Sequence, residues 1–195
     1  MLINLTKTTN ANIQKIIAFE NGFDRIMDII DGEIADASLG EGGIIVEDCL
    51  NLLIQLLKSN SSNQSFFVEA NYIKKICKYF DVSTKSGEIS PDNSIWCMQK
   101  TTNTSLLLKL IRCIVAANSS NSKPEQIVAC QKACNRFGLL HRLCALLIVQ
   151  DGMPVDILCQ TLATIAQVIK GNYSLSHFLV FNLCCLLFEI KQIRQ

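Results

Sequence analysis

Three largely apolar segments of this chain carry their polar residues along the same narrow line, and no other feature constrains the fold as much. In residues 47–58 the line is Asn51, Gln55 and Lys58; in 104–117 it is Ser105, Lys109 and Arg112; in 155–170 it is Gln160, Thr164 and Gln167. Each line steps by four residues and then by three, which sets its members on one face of an α-helix. The rest of each segment is apolar almost all round, as expected of a helix sandwiched between neighbours. No segment alternates polar and apolar residues over more than a few positions, so the chain reads as all-α.

Each sandwiched helix ends in a small polar patch: KSNSSN at 58–63, AANSSN at 116–121 and KGNYSL at 170–175. Asn60, Asn118 and Asn172 hold the matching place, at intervals of 58 and 54 residues. Asn and Gly tolerate the left-handed backbone that closes a helix, and Ser and Asn cap the next one. A patch that recurs in register is a repeated corner rather than a linker, and Phe66 and Phe67 then begin the packing face of the following helix. A second helix type recurs in NGFDRIMDII (21–30), ANYIKKICKYF (70–80) and FGLLHRLCALL (137–147), the middle one striped by Ile73, Ile76, Cys77 and Phe80. Gly22 and Gly138 suit a sharp bend into these helices. Pro124 and Pro154 stand where helices begin, at a position that needs no N–H partner.

Helical units recurring every ~40–50 residues predict an armadillo or HEAT-like, right-handed helical solenoid, here a partial repeat array. The excess length is expected in loops at 31–43 (DGEIADASLGEGG) and 81–94 (DVSTKSGEISPDNS). A four-helix bundle is the competing arrangement; the number of apolar segments and the matched corners favour stacking.

Function classes narrow from there. With 18 Lys and Arg against 17 Asp and Glu, the formal net charge of +1 argues against a nucleic-acid binder. Ten cysteines follow no secretory start, and Cys49, Cys77, Cys113 and Cys144 fall among Leu and Ile at helical spacing, so they read as reduced, buried thiols. The longest apolar run, FLVFNLCCLLF at 178–188, is short of the ~18–20 residues a membrane span needs and is interrupted by Asn182. GEGG at 40–43 lacks the Lys-Ser/Thr ending of a phosphate loop and is flanked by Glu41, Glu47 and Asp48, so it reads as a loop entering a helix. Cys130, Cys134, His141 and Cys144 include zinc-ligand types. The Cys-x3-Cys pair lies within one helix, however, and buried thiols beside a surface histidine are the simpler reading. No motif pairs His141 or His177 with a nucleophilic cysteine. Lys74, Lys75 and Lys78 share a face that suits an acidic partner or a lipid head group, or is simply solvated. Trp96, the sole tryptophan, reads as a packing residue. The residues therefore indicate no catalytic set, no metal and no cofactor, and leave the partner-binding surface open.

The segments that depart from the generic helical pattern carry a resemblance. AFEN (18–21), VEDCL (46–50), SNQSFF (62–67), WCMQKTTN (96–103), ACQKACNRFGLL (129–140) and GMPVDIL (152–158) resemble, in order and spacing, the globular head of the general vesicular transport factor family. The likeness runs from about Asn4 to Phe178, so residues 1–178 are expected to form armadillo-like repeats from inside that head. Residues 179–195 are expected to be a divergent apolar segment, either a truncated or misassigned end or a genuine variant. The family's coiled coil and acidic tail have no counterpart here, and a solenoid cut at both ends is expected to be poorly soluble. The resemblance implies a non-enzymatic scaffold for vesicle tethering in ER-to-Golgi and intra-Golgi transport, in the cytoplasm and peripheral to Golgi and vesicle membranes. It implies as partners a Rab-family GTPase, Golgi tethers and SNARE proteins, together with a head homodimer. The alternative is an armadillo-type peptide or cargo adaptor; those proteins use a ladder of Trp and Asn, which one tryptophan cannot build.

Overall fold

The computed structural model describes residues 11–36, 43–80, 96–115, 124–149 and 152–193, and among them every regular element is an α-helix. Three helices make a unit. The first comprises α1 (Ala11–Phe19), α2 (Gly22–Asp36) and α3 (Ile44–Leu57). The second comprises α4 (Ser61–Glu69), α5 (Tyr72–Lys78) and α6 (Met98–Val115). The third comprises α7 (Pro124–Arg136), α8 (Leu139–Val149) and α9 (Val155–Ile169), and α10 (Tyr173–Ile193) follows it. The third helices α3, α6 and α9 stack side by side, and the first helices α1, α4 and α7 form a parallel row behind them. This is the armadillo-like stack read from the periodicity.

The corners behave as expected, with one exchange of roles. Ser59 and Gly171 take the left-handed conformation, at φ 56° and 70°. The asparagines that follow cap the next helix: Asn63 N donates to Asn60 Oδ1 at 3.1 Å, and Leu175 N to Asn172 Oδ1 at 3.2 Å. Asn118 lies outside the described residues. The bend between first and second helices also recurs, with Asn21, Asn71 and Gly138 at φ 56°, 61° and 73°. Gly22 thus serves a different need from Gly138. A Cβ on Gly22 would run into the Ile17 carbonyl oxygen, so the residue is small because α1 and α2 touch there.

Two further expectations change. The segment 31–43 is not wholly a loop, because α2 continues to Asp36. Gly32 is exposed, but Ile34 packs against the core and carries the helix on. The segment 81–94 and residues 37–42 lie outside the described residues; Gly43 caps the start of α3, its carbonyl accepting from Val46 N at 3.1 Å. The third helices are not all covered alike: α6 has a neighbour on each side, whereas α9 leaves Val155, Leu158 and Leu162 exposed. Helix α10 runs unbroken past residue 178.

The core is continuous through the units. Phe67 is fully buried and meets Phe23 edge to face, with centroids 5.2 Å apart, and Tyr72 at 5.1 Å; Phe66 lies against Phe19 and Phe23. The phenylalanines after the first corner therefore lock α4 onto α1 and α2, and burying one such ring contributes about 1.5–3 kcal/mol.

A buried amide holds each unit closed. Gln14, Gln64 and Gln131 each lie seven residues before a left-handed bend residue, on α1, α4 and α7. Gln14 Nε2 donates to the Gln55 carbonyl at 2.7 Å, Gln64 Nε2 to the Cys113 carbonyl at 3.3 Å, and Gln131 Nε2 to the Lys170 carbonyl at 2.8 Å. Each acceptor lies near the C-terminus of the third helix of the same unit, where carbonyls have no partner within the helix. In two units the same glutamine accepts from the next unit's capping asparagine: Asn60 Nδ2 to Gln14 Oε1 at 3.0 Å, and Asn172 Nδ2 to Gln131 Oε1 at 3.3 Å. One amide thereby fastens a unit internally and ties it to its neighbour.

Candidate functional site

The three polar lines meet. Because α3, α6 and α9 stack in register, Asn51, Gln55 and Lys58 face Lys109 and Arg112 across a cleft of about 430 Å³ that Gln167 closes from α9. Ile54 and Cys113 also line it. Helical spacing alone sets the line on each helix; the stacking makes the lines into one groove.

Between α6 and α9 the wall is knitted together. Arg112 Nη1 donates to the Gln160 carbonyl at 3.1 Å and to Thr164 Oγ1 at 2.8 Å, and Nη2 donates to Gln160 Oε1 at 3.2 Å. Ser105 Oγ donates to the same Gln160 Oε1 at 2.9 Å. These acceptors are all neutral, and partial burial lowers the Arg112 pKa from its ordinary value. The planar guanidinium suits this forked arrangement where an ammonium would not. Thr164, read as part of a polar face, is buried, its hydroxyl donating to the Gln160 carbonyl at 2.7 Å.

Lys58 and Lys109 are exposed at the groove, one from α3 and one from α6, and among the described residues neither makes an ion pair. Both act on the Cys113 thiol between them. Burial prevails over their opposing effect and pushes that thiol up to about 11.

The other sequence candidates fall elsewhere. Cys130, Cys134 and Cys144 are buried while His141 is exposed, and among the described residues no group of three or more Cys, His, Asp or Glu is placed to hold a metal ion. Cys134 hydrogen-bonds with Cys130, and its thiol is held well above the usual range, first by that bond and then by burial. Cys49 and Cys77 are buried as expected, whereas Cys113 is only half-buried. His177 is exposed on α10. Of the three lysines on α5, Lys75 is engaged within the chain, 3.4 Å from Asp28 and 3.9 Å from Asp31, so the free basic face is narrower than the sequence implied. Trp96 is buried in the core with the Lys100 ammonium 5.2 Å from its ring centroid. Among the described residues, no helix is long and apolar enough to cross a membrane.

Comparison with known proteins agrees with this architecture. Residues 93–157 match the family model described as the armadillo tether-repeat of vesicular transport factor. The chain is 44% identical over 171 residues to General vesicular transport factor p115 of Bos taurus, covering 88% of this chain and 16% of that protein. It is 28% identical over 126 residues to Intracellular protein transport protein USO1 of Saccharomyces cerevisiae, covering 65% of this chain and 7% of that one. It superposes on the crystal structure of Uso1-2 with a TM-score of 0.71 and 25% identity, over 85% of this chain and 22% of that chain. The chain thus spans only a small part of these relatives' length. Over 88% of its own length the chain is similar to the general vesicular transport factors, and its residues 93–157 match their armadillo tether-repeat.

Proposed function

We propose that the chain is a non-enzymatic protein-interaction scaffold in vesicle tethering, acting in ER-to-Golgi and intra-Golgi transport as part of a larger armadillo-like head. The observation that carries this reading is the 44% identity with a protein named as a general vesicular transport factor, which extends through most of the chain. The thiol chemistry is consistent with a non-catalytic role. Cys113 and Cys144 are each pushed up to about 11 by burial, the reverse of the depressed pKa that activates a nucleophile.

On this reading residues 1–178 supply the repeats and 179–195 form a divergent segment, which α10 enters and follows as far as Ile193. The partners are a Rab-family GTPase, Golgi tethers and SNARE proteins, a second head completes a homodimer, and membrane association runs through those partners. An armadillo-type peptide adaptor is the second reading, and the cleft between α3 and α6, closed by Gln167 of α9, favours it. The test is capture of GTP-loaded Rab proteins, Golgi tethers and SNAREs by the immobilised protein. Retention of none of the three would overturn the tethering assignment.

A further inference from the structure

The groove carries a charge imbalance. Lys58, Lys109 and Arg112 line it from two helices, and among the described residues no carboxylate lines it with them. Elsewhere the chain neutralises a half-buried lysine, as Lys75 shows with Asp28 and Asp31. Here the two ammoniums point into the same cleft without an ion pair among the described residues, and Arg112 spends its donors on neutral acceptors. Cations held close together in a cleft repel one another and raise the local potential for an anionic occupant.

We propose that the groove between α3 and α6 docks an extended, carboxylate-bearing peptide segment of a partner protein. This rests on the scaffold reading and names the chemistry of one of its partners. The cleft volume of about 430 Å³ lies in the range of clefts that enclose small ligands, ~300–1,000 Å³. Its floor offers Ile54 for apolar contact, and the amides of Asn51 and Gln167 supply both donors and acceptors for a peptide backbone. A bilayer surface would meet cations arrayed on an open face, whereas these line the two walls of a cleft. A single-stranded nucleic acid would need aromatic side chains for base stacking, and among the described residues none lines this groove.

The experiment is selection from a displayed random-peptide library on the intact chain. It is followed by affinity measurement of the selected peptides against the protein, against a Lys58→Glu/Lys109→Glu variant, and against a Lys74→Glu/Lys78→Glu variant with the same net charge. All four lysines are exposed, so both variants retain the fold, checked by circular dichroism. Selected peptides are expected to be rich in Asp and Glu, and to lose at least about tenfold in affinity on the groove variant but not on the control. Peptides without carboxylates, or equal binding to both variants, would overturn the proposal. So would phosphatidylserine vesicles that bind the protein and displace the selected peptides. Failure to select any carboxylate-bearing peptide, with capture of Rab proteins or tethers intact, would refute the groove assignment alone and leave the scaffold reading standing.

Discussion

Replacing Gln14 with methionine keeps the length of the side chain and removes all its polar atoms. Gln14 is 1% exposed, donates to the Gln55 carbonyl at 2.7 Å and accepts from Asn60 Nδ2 at 3.0 Å. Each lost bond is worth about 1 kcal/mol net, and stranding a buried partner adds about 1–3 kcal/mol. Asn60 keeps a longer contact to the Ala11 carbonyl at 3.5 Å, and the last turn of α3 keeps its other caps, so the penalty falls in the lower part of that range. The expected loss for Gln14→Met is about 2–4 kcal/mol. It is read as a lower urea midpoint at unchanged slope, or a fall in Tm of roughly 5–12 °C for a chain of this size. Gln126→Met is the comparison. Gln126 is half-buried with one bond, to the Ser61 carbonyl at 2.9 Å, and should cost no more than about 1 kcal/mol. If Gln14→Met cost less than about 1 kcal/mol, or no more than Gln126→Met, the buried amide would not be what closes the unit.

Arg112→Lys should destabilise by about 1–2 kcal/mol in urea titration and recover little over Arg112→Ala, because an ammonium cannot reproduce the fork onto Gln160 and Thr164. Gly22→Ala should cost about 2–4 kcal/mol, since its methyl would meet the Ile17 backbone, and Gly138→Ala about 1–2 kcal/mol for its left-handed backbone; thermal melts of the two variants test the ranking. Burial pushes the Cys113 and Cys144 thiols up to about 11, above the ordinary thiol value of 9.0, so their contribution to stability is full below pH 9 and is lost as pH rises toward 11. Urea midpoints measured across that window should fall for the native chain and fall less for a Cys113→Ser/Cys144→Ser variant. In native-state alkylation at pH 8 the exposed Cys159 and Cys184 should label well before Cys77, Cys130 and Cys134, as mapped by mass spectrometry.

How much of this was open to a reader of residues alone varies with the kind of interaction. The left-handed bends and the caps are backbone matters, and Asn, Ser and Gly signal them locally. Even so, the roles within a corner were exchanged, because a glycine or serine just before the asparagine takes the strained φ and frees Asn60 and Asn172 to cap. The continuation of α2 to Asp36 was hidden by DGE, a turn-like string overruled by the packing of Ile34. The glutamine clamps left a signal that is easy to miss, one amide in each first helix at a constant distance from the bend. Without the acceptors in view, nothing distinguished Gln14 from the exposed side chains around it.

Local periodicity decided by itself that this chain is helical, where its corners lie, and which three side chains on each long helix stay polar, since these depend on 3.6 residues per turn and on backbone preferences a few residues long. That Lys58, Lys109 and Arg112 share one cleft, that Arg112 grips α9, and that Lys75 is already neutralised were settled only by how the helices stack. Those contacts join residues about 50 positions apart, and no helical period reaches that far.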